Sequence, residues 1–155
     1  MVPTNTWKSG RGRLGLLDPL LGTWTAVDAS PAGTVRCTRT YAKALNGSYV
    51  ILDATWDLMG KRYLEHAVMG LNDEGVLSFW SFTSDGKRSV GTLTDANDVH
   101  PAAIAFVADM PAGQARMISW PAEGLGFHWA VESKSKKGWN RFTRHHYLPL
   151  VVPEP

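Results

Sequence analysis

Between residues 34 and 59 the chain alternates. Val50, Leu52, Ala54, Trp56 and Leu58 are apolar on one parity, and Asp53, Thr55 and Asp57 mark the other. A period of two with one dry and one wet face predicts a half-buried strand. Just before it stands Asn46-Gly47. Both central residues of a type I′ turn need positive φ, which Asn tolerates and Gly adopts freely. The pair predicts a hairpin, and the hairpin predicts a register. Arg36 falls opposite Asp57 and Thr38 opposite Thr55 on the solvated face. On the dry face Cys37 meets Trp56, Arg39 meets Ala54 and Tyr41 meets Leu52. Arg39, and Lys43 nearer the turn, are therefore expected on the side that faces the core. A buried guanidinium is costly unless an anionic or polar group meets it.

The same unit recurs along the chain. Strands are expected from residue 22, over 62–69, 76–83, 88–94, 102–108 and 114–120, then over 125–132 and 139–147. Gly60, Asn72 to Gly75, Asp85-Gly86, Pro111 to Gly113, Pro121 to Gly124 and the lysine-rich 134–138 supply the turns. With two-residue loops, Glu65 points inward and His66 outward after Gly60, and Trp80 faces Gly91 across Asp85-Gly86. No helical stripe of useful length interrupts the pattern. Residues 14–21, L-G-L-L-D-P-L-L, suffice for one turn that plugs an end of the fold. Residues 1–14 are expected to form a flexible arm and 15–148 the single β-domain. Residues 149–155 form a proline-rich tail, whose prolines argue against a paired central strand.

About ten short strands joined by hairpin-length loops predict an all-β, closed antiparallel barrel in an up-and-down meander. Closure removes the exposed edges that a flat meander would leave. Ten strands are expected to leave more interior room than the eight that side chains just fill. A β-sandwich is the alternative, and only the stretch around His100 offers it a long crossover.

Several segments resemble known blocks. L-L-G-T-W (20–24) resembles the Gly-x-Trp opening of lipocalin-like, or calycin, barrels. Residues 41–50, 69–86 and 137–147 resemble, in that order, blocks of an uncharacterised calycin-like family of small bacterial proteins. The resemblance spans about residues 16 to 148. It implies a closed barrel with an interior pocket and carries no agreed activity. Nitrobindins, which bind haem, are a more distant likeness. The glycine-rich repeat that follows their opening motif is absent, since Trp24 is followed by T-A-V-D-A.

Composition narrows the function. A formal net charge of +2 is too small to imply nucleic-acid or membrane partners. One cysteine, Cys37, excludes an internal disulfide. No apolar run reaches the ~18 residues of a membrane span, and the first residues lack the apolar stretch of a signal peptide. A cytoplasmic protein, monomer or homodimer, is expected. There is no Gly-x-Ser-x-Gly elbow and no phosphate-binding glycine loop. His145 and His146 are consecutive in a strand, so they face opposite ways and cannot share one interior ion.

Tryptophan is abundant, at seven; such rings pack a barrel core or line an open pocket, and Trp56, Trp80 and Trp129 are the expected wall of a pocket. Arg39, Tyr41, Lys43 and Glu65 are its expected polar groups, because guanidinium pairs bidentately with carboxylate. The sequence thus favours a barrel that binds a small, largely apolar ligand with a polar or acidic head, without a cofactor. Two alternatives remain. One is a small barrel enzyme of isomerase or cyclase type, with Glu65 as acid/base and Arg39 as electrostatic stabiliser. The other is a haem carrier using His128, His145 or His146.

Overall fold

A computed structural model describes residues 7–31 and 33–150. The expected arm over residues 1–6, the tail over 151–155 and Ala32 of the first turn lie outside the described residues. A 3-10 helix, Gly15–Leu20, precedes ten strands. They are β1 (Gly22–Ser30), β2 (Gly33–Ala44), β3 (Tyr49–Leu58), β4 (Lys61–Leu71) and β5 (Leu77–Thr83). Then follow β6 (Arg88–Thr94), β7 (Ile104–Met110), β8 (Gly113–Pro121), β9 (Phe127–Ser135) and β10 (Gly138–Pro149). Each strand pairs with the next, and β10 returns to β1, closing an antiparallel barrel. This architecture is consistent with the calycin-like fold. No helix among the described residues is long and apolar enough to cross a membrane.

The β2–β3 register is the one that Asn46-Gly47 predicts: Arg36 pairs with Asp57, Arg39 with Ala54 and Tyr41 with Leu52. The loop itself is longer than two residues. Ala44 and Tyr49 form the last pair, and Leu45, Asn46 and Gly47 all take positive φ, at 52°, 58° and 80°. Adding one unpaired residue to each side of a turn leaves every pairing below it unchanged, so the interior face is preserved. After the two-residue loop Met59-Gly60, Glu65 pairs with Ala54 and His66 with Asp53. Glu65 therefore shares the interior face, and His66 is exposed.

The next hairpin departs from expectation. Thr83 N–H donates to Lys87 O at 2.9 Å, and Phe82 pairs with Arg88, so the loop has three residues, 84–86. Gly86, at φ 82°, adopts the left-handed conformation that such a loop needs. One extra residue shifts the register. Phe79 lies opposite Gly91, and Trp80 lies opposite Val90. Phe79 is buried, whereas Trp80 sits on the outer surface with Arg88, Val90 and Val107.

The long connection over residues 95–103 makes no crossover, because it joins the neighbours β6 and β7. That removes the sandwich. The loop lies on the outside of the barrel, where Ala96, Val99 and Ala103 pack against Ala105, Ile118, Trp120 and Ala130. Asp98 pins it by accepting from Arg116 Nη1 at 3.0 Å and Nη2 at 2.6 Å.

The N-terminal turn plugs one end. Leu17 and Leu20 are buried in the core cluster, each contributing roughly 1.5–3 kcal/mol of burial. Trp24 Nε1 donates to Leu20 O at 2.7 Å and fixes the plug to β1. Trp7 reaches back to donate to Ala102 O at 2.8 Å. At the closing seam, Trp24 pairs with Pro149 and Thr25 with Leu148. The first tail proline thus belongs to β10, at its last position, where a missing N–H removes no interior ladder bond.

Candidate functional site

The interior-facing parity of β2 brings Cys37, Arg39 and Tyr41 into the core, and all three are buried. Arg39 stands among four rings. Its Cζ lies 4.7 Å from the Trp129 centroid, 5.6 Å from Tyr41, 5.7 Å from Tyr147 and 5.8 Å from Trp56. Each face supplies some cation–π attraction. The hydrogen bonding is incomplete. Nε donates to Tyr41 Oη at 3.1 Å, but Nη1 is buried without a partner. Among the described residues, no carboxylate lies within the 4.0 Å of an ion pair with Arg39.

Arg116 shows what compensation looks like in this protein. It is as buried as Arg39, at 3% against 4% exposed. Yet its Nη2 sits 2.7 Å from Glu132 and 2.6 Å from Asp98. The Arg116 guanidinium holds the Asp98 carboxyl below the usual range. Arg39 has no such partner. Glu65, the carboxylate on the same interior face, is half-buried and accepts from Ser81 Oγ at 2.5 Å.

A second orphan lies beside the first. Tyr147 is fully buried, and its Oη has no partner. Burial pushes its phenol well above the ordinary value, so it is neutral and free to donate. Burial likewise pushes the Cys37 thiol up to about 11. That removes Cys37 as a nucleophile, since the thiolate is the reactive form.

Of these groups Arg39 borders a cavity of about 60 Å³, and Tyr147 and Cys37 stand behind it. Arg39, Tyr41, Glu65, Ser119 and Trp129 supply its polar and aromatic part, and Leu52, Met69, Phe79, Phe106 and Met117 most of the rest. Ten strands therefore leave less room than expected, because large side chains from β4, β5, β7 and β8 fill the middle. A cavity this size holds several waters, each needing ~10–15 Å³. It is well below the ~300–1,000 Å³ of sites for drug-sized ligands.

Of the seven residues singled out in the sequence, four line this cavity: Arg39, Tyr41, Glu65 and Trp129. Trp56 stands behind Arg39, with its ring 6.3 Å from Trp129 and 5.5 Å from Tyr63, and does not line the space. Two are elsewhere. Trp80 points outward because it pairs with Val68, on the parity of β4 that also carries the exposed His66. Lys43 has the interior parity, but it lies past the plug, is exposed, and borders an outer cleft with Arg11, Asp18 and Tyr49.

Tyr147, Phe79 and Ser119 escaped the sequence reading. The only available signal for Tyr147 was its alternation with Thr143 and His145. The bulge at Phe142 broke that count from the preceding turn.

The histidines do not assemble an axial-ligand site. His128 and His146 face each other on the outer surface with rings 4.7 Å apart, and His145 is tied to Asp28. With a cavity of about 60 Å³, the interior does not fit a haem. Among the described residues no three His, Cys, Asp or Glu side chains gather as a metal site. No protein-family model matches the chain, and a search of curated proteins finds no relative.

Proposed function

We propose that the barrel binds a small, largely apolar molecule through an acidic or carbonyl head group held by Arg39. The observation that carries this reading is Arg39, which lines the cavity and whose buried Nη1 has no partner. An arginine keeps its charge in any protein environment. A buried charge without a counter-group costs several kcal/mol, and an unmade hydrogen bond costs a further ~1–3 kcal/mol per group. A ligand carboxylate or carbonyl in the cavity that Arg39 lines accepts from the guanidinium and offsets the cost of its unmade bond. The apolar remainder of the cavity takes a compact hydrocarbon part, and its size limits the ligand to a few heavy atoms unless Phe79 or Met117 swings aside.

Titration with isobutyrate and with the matching alcohol tests the reading. The acid should bind and the alcohol should not. Arg39→Met should weaken acid binding by ~2 kcal/mol or more, the worth of a charge-assisted hydrogen bond in a dry site. Equal binding of acid and alcohol, or an unchanged affinity in Arg39→Met, would overturn it. Native mass spectrometry of freshly purified protein would show whether such an acid is carried from the cell.

Glu65 supports a second reading, because its carboxylate borders the cavity and is not consumed by Arg39. There it would act as acid/base beside an electrostatic stabiliser. Turnover of a candidate acid that survives Glu65→Gln would remove Glu65 from any mechanism.

A further inference from the structure

Away from the cavity, the outer face of β8, β9 and β10 gathers a different set of side chains. His128 pairs with Trp120 on one side and with His146 on the other. The three rings form a row, at 5.4 Å and 4.7 Å between centroids. Two guanidinium groups converge on the same indole: Arg141 Cζ lies 5.0 Å from the Trp120 ring and Arg144 Cζ 5.7 Å. Like charges brought together in this way repel. Surface arginines normally avoid this by spreading into water.

The nearby carboxylates offset the repulsion only in part. Asp98 is engaged by both Nη atoms of Arg116. Glu132 is buried and shared between Arg116 Nε at 2.8 Å and Arg141 Nε at 3.1 Å. That leaves the outer fork of Arg141 without a carboxylate among the described residues. Arg144 has only a 3.5 Å contact with His128 Nδ1. Both arginines border an open cleft of about 630 Å³, which Trp139, Arg116 and the two engaged carboxylates, Asp98 and Glu132, also line. Lys134 adds a further positive charge, 5.6 Å from the Trp139 ring.

We propose that this cleft is a second binding site, which takes a phosphate monoanion or dianion between Arg141 and Arg144. A planar carboxylate is satisfied by one guanidinium fork, whereas the tetrahedral oxygens of phosphate accept from two forks that are not coplanar. Because the cleft is open, any remainder of the ligand extends into solvent. The local electrostatics agree: burial, then Arg144, His146 and Arg141, hold His128 below the ordinary imidazole value. An anion seated between the arginines reverses that effect.

His128 is therefore the reporter. Its midpoint in the full chain can be followed by NMR in inorganic phosphate and in chloride of equal ionic strength. Phosphate should raise the midpoint by about half a unit or more, and Arg144→Gln should abolish the rise while leaving binding in the inner cavity intact. A rise of the same size in chloride would overturn the proposal and leave the arginines as surface groups stacked on Trp120. So would a rise that survives Arg144→Gln. Repeating the titration with glycerol phosphate identifies the source. Tighter binding than inorganic phosphate assigns the site to a phosphate ester, and equal binding assigns it to free phosphate; either result upholds the site.

Discussion

Asp28 and His145 join β1 to β10 through their side chains, at a point where the backbone does not. The hydrogen-bonded register between these strands comprises Trp24 with Pro149 and Thr25 with Leu148, and the Asp28–His145 contact continues it further along the seam. His145 also stacks on Trp129, with ring planes 12° apart, and Trp129 is the ring nearest Arg39. The weakest seam of the barrel therefore adjoins the charged end of the cavity.

Local opening should begin at this seam. In hydrogen exchange, the amides of residues 26–30 should exchange ahead of those in β3 and β4, which are paired on both sides. Asp28→Asn removes a contact worth ~1 kcal/mol and should speed exchange in β1 by about fivefold, with little change in β3. Uniform exchange around the barrel would show that the seam is no weaker than its neighbours.

The orphaned state of Arg39 makes a prediction about stability. Arg39→Met keeps the apolar stem and removes an uncompensated charge, a change that often gains ~1–4 kcal/mol. It also forfeits cation–π contacts, each worth ~0.5–2 kcal/mol. The thermal midpoint of the empty protein should hold or rise. A fall equivalent to ~3–5 kcal/mol would mean that Glu65 is the true partner of Arg39 and that the substitution orphans its carboxylate.

Gly91 lets Phe79 lie flat against the backbone of β6. A Cβ added there would meet Phe79 Cε2 at 2.2 Å and Cζ at 2.7 Å. In Gly91→Ala the ring must move, and the space beside it is the cavity. The variant should lose ~1–3 kcal/mol, as overpacked cores do, and should bind no interior ligand. Unchanged isobutyrate affinity would place the ligand elsewhere.

Cys37 sets an alkaline limit. Its thiol rises from 9.0 to about 11 in the folded state, so the unfolded chain releases its proton first. The contribution of Cys37 is intact below pH 9 and is lost as pH rises towards 11. Denaturant midpoints should decline over that window in the parent and less in Cys37→Ala. Folded protein at pH 8 should resist thiol reagents, and rapid labelling would show that Cys37 is not held as a buried neutral thiol.

Met59 carries φ 48° and is exposed, a conformation that costs a side chain with a Cβ ~1–2 kcal/mol. Met59→Asn, the residue type preferred in a type I′ turn, should raise the melting temperature without altering ligand binding. A lower melting temperature would mean that the exposed thioether makes packing contacts of greater value than the turn preference.

Much of the barrel was legible because turns and alternation are local. Asn46-Gly47 and Met59-Gly60 each set a register within a dozen residues, and a period of two then carries Arg39, Tyr41 and Glu65 inward. Where a loop has an ambiguous length, the same logic inverts. At residues 84–86 one extra residue placed Phe79 instead of Trp80 opposite Gly91, because side chains alternate strictly and a single slip changes every pairing along the strand. Tyr147 was hidden for a similar reason, behind the bulge at Phe142. The unmet charge of Arg39, the pairing of Glu65 with Ser81 and the small cavity were decided only in three dimensions. They depend on which of several interior side chains from distant strands fill the same space. Hydropathy shows that a residue faces inward, but only packing determines whom it meets there.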